Sequence, residues 1–248
     1  MKYFVANWKM YLGPEKSRAL ALQYAALPLP ESVTGIICPT ALSFQEVSRM
    51  VVDTKWQLSA QNIAWTPEGA YTGAVSAQFF HEVGARYVLI GHSERRYIFG
   101  ETDHDVRKKI EAAVSTGLKP ILCIGETAED LAAGKRQYRL KKQLFSALDN
   151  LPNANETIIA YEPVWAIKGS GEGTACLPAD VADVHGWVTD EVKQYGLNNP
   201  IILYGGSVNA GNCAAYLDLS NVHGILVGTA SLHQPEVKSM VSFLASTG

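Results

Sequence analysis

A chain of 248 residues, 47% hydrophobic and 18% charged, is long enough to bury a large core and short enough to form one α/β barrel domain over residues 1–248. Its net charge of -3 supplies no excess of cations for a nucleic-acid backbone or an anionic membrane surface, so neither partner is expected. The apolar run within Met1 to Met10 is too brief for a secretory leader, and no later stretch reaches membrane-spanning length, which points to a cytoplasmic protein. Cys38, Cys123, Cys176 and Cys213 are scattered without a C-x-x-C pair, so free thiols are expected rather than a metal site or a disulfide framework.

Along the chain, short apolar runs recur at Tyr3 to Ala6, Gly35 to Cys38, Trp56 to Ala60, Tyr87 to Ile90, Pro120 to Ile124, Ile158 to Tyr161, Ile201 to Tyr204 and Gly224 to Val227. Each is rich in Val, Ile, Leu or Tyr and scarcely alternates, as strands buried on both faces do. Between them lie segments with helical spacing. The clearest are Leu20, Tyr24 and Leu27, then Val106, Ile110 and Val114 before a capping Gly117, then Leu140, Leu144 and Leu148, and last Val237, Met240, Val241 and Leu244. Strands alternating with helices over this length predict an α/β fold of the (β/α)8 barrel type, with no linker or charge run to mark a second domain. Periodicity does not distinguish a closed barrel from an open doubly wound sheet.

Polar residues collect where these strands end. Asn7 and Lys9 follow the first run, Gln61 and Asn62 the third, His92 and Ser93 the fourth, Glu126 the fifth, Glu162 the sixth, Gly205 to Ser207 the seventh and Gly228 the eighth. In a closed barrel all of these ends share one face, so residues far apart in sequence converge on one pocket.

Glu162 ends a buried strand and precedes a glycine-rich loop containing Gly169, Gly171 and Gly173. Apolar surroundings and exclusion of water move carboxylates toward the neutral range in which a general base works well. A lone strand-end glutamate is most often a surface group, but the aromatic flank and the loop favour a base beside a lid. His92 sits before a predicted helical turn whose free N–H groups disfavour added positive charge, so a neutral imidazole donating to a substrate oxygen is expected. An isolated strand-end histidine is otherwise most often satisfied by backbone. Lys9 offers an ammonium where negative charge could build on a carbonyl oxygen, although most lysines are simply solvated. Tyr204-Gly205-Gly206-Ser207 and Val227-Gly228-Thr229-Ala230-Ser231 fall where barrels often bind phosphate. There glycine lets backbone N–H groups approach an anion, though each cluster alone is more often a tight turn.

Together these residues resemble the triosephosphate isomerase family. The motifs are Ala6-Asn7-Trp8-Lys9, Ala60-Gln61-Asn62, Gly69-Ala70-Tyr71-Thr72-Gly73, Gly91-His92-Ser93-Glu94-Arg95-Arg96, Cys123-Ile124-Gly125-Glu126, Tyr161-Glu162-Pro163-Val164-Trp165-Ala166 and Tyr204-Gly205-Gly206-Ser207. The similarity runs from Asn7 to Leu232 in the family's order, and this family is the standard illustration of a glutamate base beside a neutral histidine. It implies a single-domain TIM barrel that interconverts D-glyceraldehyde 3-phosphate and dihydroxyacetone phosphate through an enediolate, without cofactor, in glycolysis and gluconeogenesis. By the same resemblance Glu162 is the base, His92 the electrophile, and Lys9 with Asn7 the substrate and enediolate contacts. Lys168, Gly169, Ser207, Gly228 and Thr229 hold phosphate, Glu94 orders Lys9 and Ser93, and Tyr204 and Ser207 latch the lid. The resemblance also implies a homodimer in which the loop from Gln61 to Gly73 inserts Thr72 beside the active site of a second copy.

Four departures stand out. The lid from Ile167 to Ala175 is two residues longer than the family pattern, Lys168 replaces a glycine there, and Thr229 replaces the second glycine of the last phosphate loop. Ala74 also stands where the family has a glutamate that pairs with the arginine matched by Arg95, a loss expected to weaken the dimer without abolishing it. These differences leave two alternatives, an isomerase of a tetrose phosphate such as erythrulose phosphate and a non-catalytic barrel that binds a phosphorylated ligand. Lys9, His92 and Glu162 together argue against the second.

Overall fold

A computed structural model describes residues 1–167 and 175–246. Strands β1 (Lys2–Asn7), β2 (Val33–Cys38), β3 (Gln57–Ala60), β4 (Tyr87–Ile90), β5 (Lys119–Ile124), β6 (Ile158–Tyr161), β7 (Ile202–Tyr204) and β8 (Gly224–Val227) pair in sequence order and close into a barrel. Every pairing is parallel, including the one between β8 and β1 that joins Tyr3 to Gly224 and Ala6 to Val227. That last pairing decides between the closed barrel and the open sheet. Closure also demands glycine, because a Cβ on Gly224 would lie 2.1 Å from Tyr3 O.

Alternate residues of each strand serve two cores, which is why the runs look continuously apolar. Val5, Ile36, Leu89, Ile121, Leu203 and Leu226 point inward and fill the barrel. Their neighbours Phe4, Ile37, Val88, Leu122 and Ile225 face the surrounding helices. Fully burying one such side chain is worth about 1.5–3 kcal/mol, so the two layers together supply most of the drive to fold.

Among the described residues the helices are α1 (Pro14–Ala25), α2 (Phe44–Val51), α3 (Ala77–Glu82), α4 (Ser93–Tyr97), α5 (Asp103–Ser115), α6 (Ala128–Ala132), α7 (Arg136–Leu148), α8 (Pro178–Glu191), α9 (Cys213–Leu217) and α10 (Gln234–Ser246). The predicted apolar stripes of α5, α7 and α10 bury Val106 and Ile110, Leu140 and Leu144, and Val237 and Met240. A capping box of Thr102 and Asp105 starts α5. Leu27 keeps helical spacing but lies beyond the end of α1, its N–H donating to Tyr24 O, because Pro28 and Pro30 follow and cannot continue a helix. All four cysteines are buried and unpaired. No helix among the described residues is long and apolar enough to cross a membrane.

Helix α8 carries a buried histidine against the barrel wall. His185 lies edge-on to the Tyr161 ring at 6.0 Å, and its Nδ1 meets Asn221 O at 3.1 Å. Burial pulls its pKa from 6.5 to about 4, more than the bond to Asn221 raises it. The unfolded chain therefore binds a proton between pH about 6.5 and about 4 that the folded protein refuses, so stability falls as pH drops through that window and no further below it. The cost reaches about 3 kcal/mol at the acid end. Urea unfolding of His185→Gln from pH 7 to pH 4 should show a markedly flatter pH dependence than the parent. Parallel curves would mean that other groups govern acid sensitivity.

Candidate active site

Each polar side chain noted at a strand end emerges on the same rim of the barrel. Asn7 is the buried last residue of β1, and its Oδ1 accepts the Lys9 N–H at 3.0 Å. This contact turns the chain sharply and leaves Lys9 in the left-handed region at φ 50, which is uncommon for a lysine. Gln61, just past β3, secures the turn from the opposite side, its Nε2 donating to Lys9 O at 2.9 Å and to Cys38 O at 2.8 Å. The Lys9 ammonium is thereby directed across the rim to Glu94 Oε1 at 2.7 Å.

His92 caps the start of α4. Its Nδ1 accepts the Glu94 N–H at 3.2 Å, so Nδ1 presents its lone pair and the proton of the neutral ring sits on Nε2. Nε2 faces Glu162 Oε1 at 3.2 Å. The other carboxylate oxygen, Oε2, accepts the Ser93 N–H at 3.2 Å. Glu162 is thus buried with both oxygens engaged, and its stem lies so close to β7 that a Cβ on Gly205 would stand 2.8 Å from Glu162 Cγ. Glu94 reaches Lys9 with its side chain and His92 with its backbone. Ser93 Oγ is buried with no hydrogen-bond partner among the described residues, so no bond joins it to Glu94.

Beyond these groups opens a cleft of about 810 Å³, lined by Lys9, His92, Glu162, Ser207, Gly228 and Thr229 among others. The Ser207 hydroxyl donates to Ala166 O at 2.7 Å, at the foot of the segment expected to form the lid. Tyr204 is buried against Tyr216, with ring centroids 4.3 Å apart, and its hydroxyl has no hydrogen-bond partner among the described residues. Lys168 and Gly169, with the rest of the glycine-rich loop through Thr174, lie outside the described residues. A second groove of about 650 Å³ opens on the other side of Lys9 and His92, with the exposed Thr72 on its wall. Among the described residues, no group of three or more His, Cys, Asp or Glu could hold a metal ion.

Two supporting residues carried no assigned role on sequence alone. Gln61 is one. The other is Glu126, fully buried, whose Oε1 gathers Tyr161 Oη at 3.0 Å, Trp165 Nε1 at 2.9 Å and Arg136 Nε at 3.2 Å. It joins the ends of β5 and β6 to the segment that leads toward the lid. Both stood out only as polar residues at strand ends, and their partners come from elements distant in sequence.

A sequence model of the triosephosphate isomerase family matches residues 2–244. The chain belongs to the triosephosphate isomerase family. It is similar to the triosephosphate isomerase of Aquifex aeolicus, 39% identical over 236 residues that cover 93% of this chain and 94% of the relative. The Bdellovibrio bacteriovorus triosephosphate isomerase is 38% identical over 97% of this chain and 99% of its own length. That of Symbiobacterium thermophilum is 40% identical over 92% and 90% respectively. The closed barrel of this chain brings the Lys9, His92 and Glu162 side chains to one cleft.

The two hydrogen bonds that Gln61 Nε2 donates set the Lys9 turn, so replacing this side chain leaves two carbonyls short of a donor. Gln61→Leu should lose about 1–3 kcal/mol of stability and, by loosening Lys9, lower kcat/KM roughly tenfold. A lowered thermal midpoint with unchanged kcat/KM would make Gln61 a purely structural strut.

Proposed function

We propose that the protein is a triosephosphate isomerase, interconverting D-glyceraldehyde 3-phosphate and dihydroxyacetone phosphate without a cofactor, as a step of glycolysis and gluconeogenesis. The observation that carries this reading is the 3.2 Å approach of the buried Glu162 carboxylate to His92 Nε2 inside a cleft that Lys9 also lines. In the chemistry we propose, the substrate carbonyl oxygen replaces Glu162 as acceptor of the His92 Nε2–H, and the freed carboxylate turns to the adjacent carbon. Glu162 removes a proton from that carbon, the electron pair moves into a carbon–carbon double bond, and the carbonyl oxygen becomes anionic. His92 and the Lys9 ammonium meet that charge. His92 then hands its Nε2 proton to one oxygen and takes the proton of the other, and Glu162 returns its proton to the neighbouring carbon.

In the same reading, phosphate lies at the far end of the cleft on backbone N–H groups near Gly228 and Thr229 and on Ser207, with Lys168 or Gly169 closing from the lid and Tyr204 and Ser207 latching it. Excluding water there protects the enediolate from loss of phosphate. Asn7 supports this by fixing the Lys9 turn.

The whole chain acts as one barrel domain, cytoplasmic and paired with a second copy. What supports pairing is the exposed apolar lining of the groove that holds Thr72: Met10 is 92% exposed, Phe99 66%, Tyr71 48% and Trp65 42%. Ala74 offers no acid to Arg95, but Arg95 bonds Glu101 at 3.2 Å within its own chain and stacks on Phe99 at 4.6 Å, so no charge there is stranded without a second copy. Sedimentation equilibrium should give twice the 26.9 kDa mass of one chain, and a monomer at micromolar concentration would refute pairing.

Parallel assays on triose and tetrose phosphates test the substrate. Turnover of glyceraldehyde 3-phosphate is expected, turnover of the tetrose alone would defeat the assignment, and turnover of neither would leave a binding protein. Glu162→Gln should lower kcat by about 10²–10⁴ while leaving inhibition by inorganic phosphate within about threefold.

A further inference from the structure

The loop expected to meet phosphate is held from beneath. Gly228 follows β8, and the short 3-10 turn Thr229–Leu232 comes next. Ser231, fully buried, donates both its N–H and its hydroxyl to Gly228 O, at 2.8 and 2.7 Å, folding the loop back on itself. The carbonyl of Ser231 in turn accepts the Tyr24 hydroxyl at 2.7 Å, a contact that spans 207 residues of sequence. Tyr24 projects from α1 into full burial, its ring edge-on to Trp8 at 5.6 Å and to Trp56 at 4.7 Å. Trp8 is the residue between Asn7 and Lys9, and Gly228 touches the Lys9 stem closely enough that a Cβ there would lie 3.3 Å from Lys9 Cε. One phenol therefore touches the segment that carries Lys9 and is bonded to the turn that carries Gly228 and Thr229.

We propose that Tyr24 is a positioning residue for phosphate recognition: its hydroxyl fixes Ser231, and through Ser231 the direction in which the Gly228 and Thr229 N–H groups point. The inference rests on the phosphate-binding role proposed above for that loop. Packing alone does not explain a tyrosine here. A phenylalanine would fill the space between the two indoles equally well, and a hydroxyl taken this deep is tolerated only because it is bonded. Burial also holds the phenol well above its ordinary pKa, so it remains a donor across the working pH range.

Tyr24→Phe in the full-length protein removes the hydroxyl and keeps the ring. The inhibition constant of inorganic phosphate should rise about 3- to 10-fold, the range expected for loss of one hydrogen bond. The kcat/KM for glyceraldehyde 3-phosphate should fall by a similar factor, mainly through KM, while kcat/KM for unphosphorylated glyceraldehyde stays within about twofold. Ser231→Ala, which removes one of the two bonds to Gly228 O without touching α1, should give the same pattern and carries the test if Tyr24→Phe folds poorly. Equal losses on the phosphorylated and unphosphorylated substrates, or an unchanged phosphate constant in a folded variant, would overturn the role of Tyr24. A parent protein that inorganic phosphate does not inhibit would instead defeat the phosphate-binding reading, and the inference with it.

Discussion

Because β8 pairs in parallel with β1, no strand of the barrel keeps an unpaired edge, and every strand leaves the barrel at the same rim. Closure accounts for much else in the molecule. It requires Gly224 to lack a side chain, divides the apolar residues of each strand between an inner and an outer core, and brings Lys9, His92 and Glu162 within reach of one another. An open sheet with the same strands would satisfy the hydrophobic pattern equally well and would scatter those groups along its length.

Within the rim, buried polar groups are held by one another. Glu162 accepts from Ser93 and faces His92, His92 accepts from Glu94, Glu94 bonds Lys9, and the turn at Lys9 is tied to Asn7 and Gln61. Burying an unpaired carboxylate is costly, and the contacts from Ser93 and His92 leave neither oxygen of Glu162 without a neighbour. The same logic extends outward to Glu126, which gathers three donors on one oxygen, and to Tyr24, whose hydroxyl secures the turn after β8.

The strands were legible in the sequence because burial on both faces leaves continuous Val, Ile and Leu runs. Tyr87–Ile90, Ile158–Tyr161 and Gly224–Val227 coincide with their predicted limits. Residues whose chemistry is distinctive also stood out, since a histidine or glutamate directly after such a run is conspicuous. Closure itself did not, because the pairing of β8 with β1 leaves no local periodicity. The roles of Gln61, Glu126 and Tyr24 were not legible for a related reason. Each acts through carbonyls or side chains far along the chain, and a tyrosine in an apolar helical stripe looks like any other core residue until its hydroxyl is seen to meet Ser231. Leu27 shows the converse, a helical position by spacing that proline removes from the helix while leaving it buried.

The contact between the first and last strands also bears on synthesis at the ribosome. Lys9 belongs to the first βα unit to emerge and Gly228 to the last, and the two touch only when β8 arrives. Early strands can collapse against their own helices during translation, but their outer edge at β1 stays open until more than two hundred further residues have been made. Nascent chains therefore carry an exposed strand edge and no complete site for most of their synthesis. The contact of Gly228 with Lys9 and the closure of the barrel are acquired in the same late event.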